Sequence, residues 1–233
     1  MDYKLAVLSV CDYAFSQMPK THAVSQIMDR FGYDYRLYVD PLWHGWPSKV
    51  KYYTEAVPKL LDTDPDITHV MFIDSSDVVL LCGPDELMAR WKQFNHPWVY
   101  NAEPHIWPLN SFQPEDYPTP PDAYYRYLNG GAYIGELKHV AHYYRKWTET
   151  PIVCEKSDQH WMAERYLLDH PDAIQLDHGC KLFQCMCGSD WLVDIVPGHL
   201  YNRETETDPK VIHFNGGTDI TATDRRALWS QLV

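Results

Sequence analysis

Short apolar runs alternate with amphipathic stretches along this chain, and the alternation predicts strands laid between helices. Leu5 to Val10 is almost continuously apolar, as in a central parallel strand buried on both faces. A helical stretch over Thr21–Phe31 and a second strand over Tyr35–Val39 follow. Ser48 suits the N-cap of a helix running to about Leu61, with Val50, Tyr53, Val57 and Leu60 on one face. Pro58 inside it predicts a kink or an early stop. Thr68–Ile73 reads as the third strand. Pro84-Asp85-Glu86 has the first-turn chemistry of a helix reaching Phe94.

Trp98–Asn101 is a short strand. Residues 102–126 then hold six of the seventeen prolines with little periodicity, which predicts a long functional loop. Leu128–Gly135 reads as a strand interrupted by Gly130-Gly131. Leu137–Trp147 and Gln159–Leu168 read as helices, Ile174–Asp177 and Val211–Phe214 as short strands, and Ala222–Leu232 as a closing helix. With no repeat and no linker, one α/β domain over residues 1–233 is expected. Its first half, about 1–100, is Rossmann-like, and its second, about 101–233, is more irregular.

Composition narrows the function. The chain has 20 basic against 32 acidic residues, a net charge of −12. Such a surface repels phosphate backbones over most of its area, so a nucleic-acid partner requires a local basic patch. No apolar run approaches the ~20 residues of a membrane helix. Met1-Asp2-Tyr3-Lys4 leads directly into Leu5–Leu8 with no cleavage pattern. The expectation is a cytoplasmic protein, viral or bacterial, with no membrane partner and its six cysteines reduced. Cys180, Cys185 and Cys187 cluster, but not at a zinc-site spacing, and buried thiols are expected.

The chemistry concentrates at Phe72-Ile73-Asp74-Ser75-Ser76-Asp77. In an open α/β sheet ligands sit beyond the carboxyl ends of strands. Two carboxylates there repel unless a cation or proton neutralises them, and a hard divalent ion is the natural occupant. On this stretch alone an Asp-rich turn accounts for the pattern equally well. A second short strand, Val211–Phe214, delivers His213 to the turn Asn215-Gly216-Gly217, where an imidazole can complete a cation site and backbone N–H groups can face phosphate. Taken alone, a packed histidine before a turn is the simpler account. No G-x-x-x-x-G-K-[ST] sequence is present, so P-loop chemistry is not expected.

Six blocks follow one another in order: Phe72 to Val79, Asn101 to Pro108, Tyr127 to Gly135, Ser157-Asp158-Gln159, Leu176 to Gln184 and Val211 to Gly216. Together they resemble the glycosyltransferase domain of procollagen lysyl hydroxylases and its stand-alone relatives, over about Leu5 to Thr218. The resemblance implies a GT-A fold, a mixed Rossmann-like sheet flanked by helices, with a nucleotide-binding first half and an acceptor-side second half. It also implies a UDP-sugar donor and Mn²⁺, with Mg²⁺ as the alternative. Position by position, it makes Asp74, Asp77 and His213 the metal ligands. Ser75 and Ser76 match nucleoside contacts, and Asn215 and Gly216 match the turn facing the diphosphate. Lys49, Asn129 and Gly130 match donor-binding positions, and Asp158 matches an acidic cluster near the sugar.

The chain also departs from the pattern. Lys156 and Ser157 stand where the family tends to have further aspartates. Asp219 stands where a lysine is common, leaving Arg225 or Arg226 to compensate. Asp158 is the candidate for base or positioning work, and an N-cap before Gln159 accounts for it equally well. Trp107 is expected to line the cleft.

The reading is a metal-dependent glycosyltransferase that moves a hexose, glucose or galactose, from a UDP-sugar to a hydroxyl acceptor. The acceptor is either a hydroxylysine-type side chain on a protein or a hydroxylated DNA base. The missing secretory signal argues against collagen in the secretory pathway. Lys49, Lys51, Lys59, Arg126, Lys138 and Arg145 are the candidates for a basic surface that a duplex requires. The rivals are a non-catalytic sugar-nucleotide-binding module and a metal-dependent phosphoester hydrolase.

Overall fold

A computed structural model describes residues 3–118, 122–154, 156–216 and 229–232 of the chain. The elements in chain order are β1 (Leu5–Asp12), α1 (Tyr13–Ser16), α2 (Pro19–Phe31), β2 (Asp34–Asp40), α3 (Trp46–Thr63), β3 (His69–Ile73), β4 (Val78–Leu80), α4 (Pro84–Trp91), β5 (Trp98–Glu103), β6 (Tyr127–Glu136), α5 (Leu137–Trp147), α6 (Asp158–Asp169), β7 (Gln175–Leu176), β8 (Phe183–Cys185), β9 (Val193–Val196), β10 (His199–Asn202) and β11 (Val211–His213). Six strands form the central sheet in the order β2-β1-β3-β6-β5-β7. β6 runs antiparallel to both its neighbours, while the β1–β2, β1–β3 and β5–β7 pairs are parallel. A smaller sheet, β4-β11-β8, lies beside it.

The period of two along each strand divides the core. Ala6, Leu8, Val10, Val70 and Phe72 pack toward α3, α5 and α6. Leu5, Val7, Met71 and Ile73 face α2, α4 and the small sheet. A strand buried on both faces is apolar at nearly every position, which explains the run at Leu5–Val10, where the buried Ser9 hydroxyl is satisfied by donating to the Ile73 carbonyl. The architecture is the expected mixed sheet flanked by helices.

Several local expectations are corrected. Ser48 is not the N-cap of α3. The helix begins a turn earlier, with Gly45 as cap at φ 76 and Pro47 in the first turn, where a missing N–H is harmless. The Ser48 hydroxyl instead accepts from the His44 N–H at 2.8 Å. Pro58 does not stop α3, which continues to Thr63 because Val50, Tyr53, Val57 and Leu60 are all buried along it. Asp158 is not an N-cap either. Ser157 caps α6 by accepting from the His160 N–H at 3.0 Å, so Asp158 enters as the first helical residue with its carboxylate left over.

Gly130-Gly131 does not break β6, but the β5–β6 register does shift between Tyr100 and Ala102, leaving Asn129 to Ala132 without partners on β5. Irregularities of this kind re-aim side chains beside functional sites. The strands β4, β8, β9 and β10 were not expected. Of the closing helix, residues 222–228 lie outside the described residues, and Trp229 packs on Phe214 with ring centroids 5.3 Å apart. None of the six cysteines is in a disulfide. Among the described residues no helix is long and apolar enough to cross a membrane.

Candidate functional site

β3 ends at Ile73, so Asp74 emerges at the carboxyl edge of the central sheet, and Asp77 directly precedes β4. β11 pairs antiparallel with β4 in a register that sets His213 opposite Val78, and the Phe214 N–H donates to the Asp77 carbonyl at 2.8 Å. Backbone pairing therefore carries His213 to the two aspartates across more than a hundred residues of sequence. Its Nε2 lies 3.5 Å from Asp74 Oδ2 and 3.6 Å from Asp77 Oδ1. One ligand atom from each of the three lies within 4.8 Å of the others.

Burial alone would lower the His213 pKa, but the Asp77 and Asp74 carboxylates override it and hold the ring up at about 10. Asp77 Oδ1 is buried with no hydrogen-bond partner among the described residues. Two carboxylate oxygens and one imidazole nitrogen, one of the oxygens left without a donor, fit a divalent cation that accepts oxygen and nitrogen together.

A buried lysine ties this group to a second carboxylate. Lys49, from the first turn of α3, is 5% exposed. Its Nζ lies 2.6 Å from Asp74 Oδ1 and 2.6 Å from Asp158 Oδ2. Burial works against its charge, but Asp158 and Asp74 together raise its pKa above the ordinary lysine range. Asp74 is pushed up by burial and pulled further down by Lys49 and His213, to about 2. Asp158, on the other side, is raised: burial outweighs Lys49, and the Asp74 charge adds to it.

These groups open into a cavity of about 740 Å³ lined also by Trp46, Trp107 and Asp190. Trp107 lines the cleft as expected and is 54% exposed. Asn129, Gly130, Asn215 and Gly216 line the same cavity. Ser75 and Ser76 do not: Ser75 is buried, with its hydroxyl bonded to Cys11. Gly217, Thr218, Asp219, Arg225 and Arg226 lie outside the described residues.

The glycines of β6 act by what they lack. A Cβ on Gly131 would stand 2.0 Å from His213 Cε1, so only a glycine lets the imidazole lie against the strand. Gly216, at φ 82, has Cys187 Sγ 2.5 Å from where its Cβ would be.

Sequence reasoning missed Glu103. It closes the buried strand β5, is 4% exposed, and lines the cavity. Burial raises its pKa to about 7, against hydrogen bonds from Gln159, Asn129 and Asn215. The signal was present: a carboxylate at the carboxyl end of an apolar strand, the same pattern that exposed Asp74. Gln159 and Gly131 carry no comparable mark in the sequence.

Residues 40–224 match the family model described as the PLOD GT domain. The chain is 30% identical over 198 residues to procollagen-lysine,2-oxoglutarate 5-dioxygenase 1 of Mus musculus, covering 81% of this chain and 26% of that protein. It is 30% identical over 183 residues to the multifunctional procollagen lysine hydroxylase and glycosyltransferase LH3 of Homo sapiens, covering 76% of this chain and 24% of that protein. The chain thus spans about a quarter of the length of these curated relatives. Among solved structures, a glycosyltransferase involved in glycosylation of the major capsid of PBCV-1 matches in fold, with a TM-score of 0.53 at 12% identity over 92% of this chain and 94% of that one.

Proposed function

The chain belongs to the PLOD GT domain family, and from that premise we propose that it transfers a hexose from a UDP-sugar to a hydroxyl acceptor with Mn²⁺ as cofactor. The observation that carries the reading is the convergence of Asp74, Asp77 and His213 within 4.8 Å at the carboxyl edge of the sheet. Asp74, Asp77 and His213 would hold the ion. A divalent cation held there supplies positive charge against the diphosphate that departs when the sugar–phosphate bond breaks.

The chain's own residues divide the remaining work. Asn215 and Gly216 line the cavity after β11 and present a turn to the donor phosphates. Lys49 keeps Asp158 paired in a site that burial would otherwise discharge. Asp158 is our candidate for orienting the sugar or accepting the acceptor's proton, since it is a buried carboxylate with a raised pKa in the cavity wall. Trp107 offers an aromatic face to the acceptor or sugar ring.

Charge favours a protein-type hydroxyl acceptor over a DNA base. Among the described cavity-lining residues Lys49 is the sole lysine or arginine, and both carboxylates beside it hold it. Arg126 donates to the Pro114 and Tyr117 carbonyls, and Arg145 pairs with Asp62. A duplex would meet carboxylates where it needs cations.

The test is a panel of UDP-sugars with Mn²⁺ against hydroxylysine peptides and hydroxymethylated DNA, scored by UDP release and by thermal stabilisation. Asp77→Ala is expected to abolish UDP release while the melting curve stays cooperative. Donor binding without turnover on any acceptor would make the chain a binding module. Phosphate release independent of a sugar nucleotide would make it a hydrolase.

A further inference from the structure

We propose that Glu103 is a positioning residue that sets the ring orientation and tautomer of His213 through a one-way chain of hydrogen bonds across Asn129 and Gln159. The inference rests on the reading of Asp74, Asp77 and His213 as a metal site.

The direction of each bond follows from donors whose identity is fixed. A backbone N–H can only donate. The Gly131 N–H donates to Asn129 Oδ1 at 3.0 Å, and the Gly130 N–H donates to Gln159 Oε1 at 2.9 Å. The Met186 and Cys187 N–H groups both donate to Asn215 Oδ1 at 3.0 Å. These contacts fix which end of each side-chain amide is oxygen, a choice that normally has to be inferred from the surrounding network.

The NH₂ groups then have one direction left. Asn129 Nδ2 donates to Gln159 Oε1 at 3.4 Å, Gln159 Nε2 donates to Glu103 Oε1, and Asn215 Nδ2 donates to Glu103 Oε2 at 2.8 Å. Gln159 Nε2 also reaches the Trp107 carbonyl at 3.3 Å, and both Glu103 oxygens are acceptors here because each is met by an NH₂ group. At the other end, His213 Nδ1 lies 2.8 Å from Asn129 Oδ1, an oxygen that only accepts, so Nδ1 carries the hydrogen. Nε2 faces Asp74 and Asp77, so it is the nitrogen that gives up its proton and offers a lone pair when a cation binds there. Glu103, Asn129, Gln159, Asn215 and His213 are each at most 7% exposed. Partners of this kind, standing behind a metal-ligating histidine, are worth about 10–100-fold in metal affinity.

Glu103→Gln tests the direction of the chain at nearly constant volume. The new amide must point its NH₂ at Gln159 or at Asn215, both of which already donate there. One of them must turn, and turning Gln159 strands the Gly130 N–H and takes one partner from the Asn129 NH₂ group. The double swap Glu103→Gln with Gln159→Glu restores an acceptor for every donor and moves the charge one residue along the chain. Mn²⁺ affinity of the full chain is measured by electron paramagnetic resonance. The His213 tautomer is read from ¹⁵N shifts in the Mg²⁺-loaded protein.

Glu103→Gln is expected to weaken Mn²⁺ binding by about tenfold or more, with mixed His213 tautomers. The double swap is expected to recover affinity and the Nδ1–H form together. Unchanged affinity in Glu103→Gln, or no recovery in the swap, overturns the inference while leaving the metal site standing. A wild-type chain that binds no Mn²⁺ removes the site reading and this inference with it. Should Glu103→Gln fail to fold, the swap alone decides: wild-type affinity supports the chain, and weaker binding or failure to fold overturns it.

Discussion

Gly131→Ala adds one methyl group and is expected to dismantle the metal site without dismantling the protein. The new Cβ would lie 2.0 Å from His213 Cε1, 2.4 Å from Nδ1 and 2.6 Å from Nε2. Carbon atoms in contact sit about 3.5–4 Å apart, so the ring must retreat by roughly 1.5 Å. Metal sites tolerate ligand displacements of about 0.2 Å, so His213 leaves the ligand set. Mn²⁺ affinity is then expected to fall by at least about 100-fold, the upper end of what an outer partner alone contributes. The strand itself gains a better former than glycine, and the methyl overpacks a buried site, a destabilisation of about 1–3 kcal/mol.

The assay is a Mn²⁺ titration of Gly131→Ala by calorimetry or paramagnetic resonance, beside a chemical-denaturation curve. Gly179→Ala serves as control, since a Cβ there meets only the Lys181 side chain at 3.8 Å. Wild-type Mn²⁺ affinity in Gly131→Ala would refute the claim that His213 completes the cation site against β6. A variant that loses affinity because it is globally unfolded is identified by the denaturation curve.

Other outcomes follow from the same charges. Lys49→Met leaves Asp74 and Asp158 with no cation between them, and stability of the metal-free chain is expected to fall by about 3–5 kcal/mol in urea unfolding; a loss below about 1 kcal/mol would contradict the buried pairing. The raised His213 pKa, about 10 in the metal-free chain, contributes stability that is fully present below its ordinary value of 6.5 and is lost as pH climbs through about 10. Mn²⁺ must displace that proton, so apparent affinity should rise about tenfold per pH unit between about pH 7 and 9. Calorimetry in buffers of different ionisation enthalpy counts the proton, and binding with no proton release would speak against the assignment.

What was legible in the sequence follows from how many residues carry each signal. α5 was read to the residue because its apolar positions repeat at the helical period, and β1 was found, two residues short at its end, from its nearly continuous apolar run. β4 and β8 have three residues each, too few for any period, and they take their strand form from β11 lying between them. Ser48 looked like a cap because its chemistry fits one, yet Pro47 let the helix start earlier. At the site, Asp74, Asp77 and His213 were marked as candidates by polar groups at apolar strands and by the family resemblance, and the fold brings the three together. Glu103 shared that mark and was passed over. Asn129 and Gln159 were not readable as partners of one another, because the orientation of an amide depends on neighbours that only the folded backbone supplies.

The pairing of β11 with β4 has a consequence for synthesis. A growing chain carries both aspartates long before the imidazole that completes their site, which arrives on a strand near the far end of the fold. An unfinished or misdocked product would hold the acidic pair and lack its nitrogen partner. The Asp74–Asp77–His213 cluster therefore forms only after long-range docking is complete, and under the proposed function cation affinity becomes a gauge of finished folding.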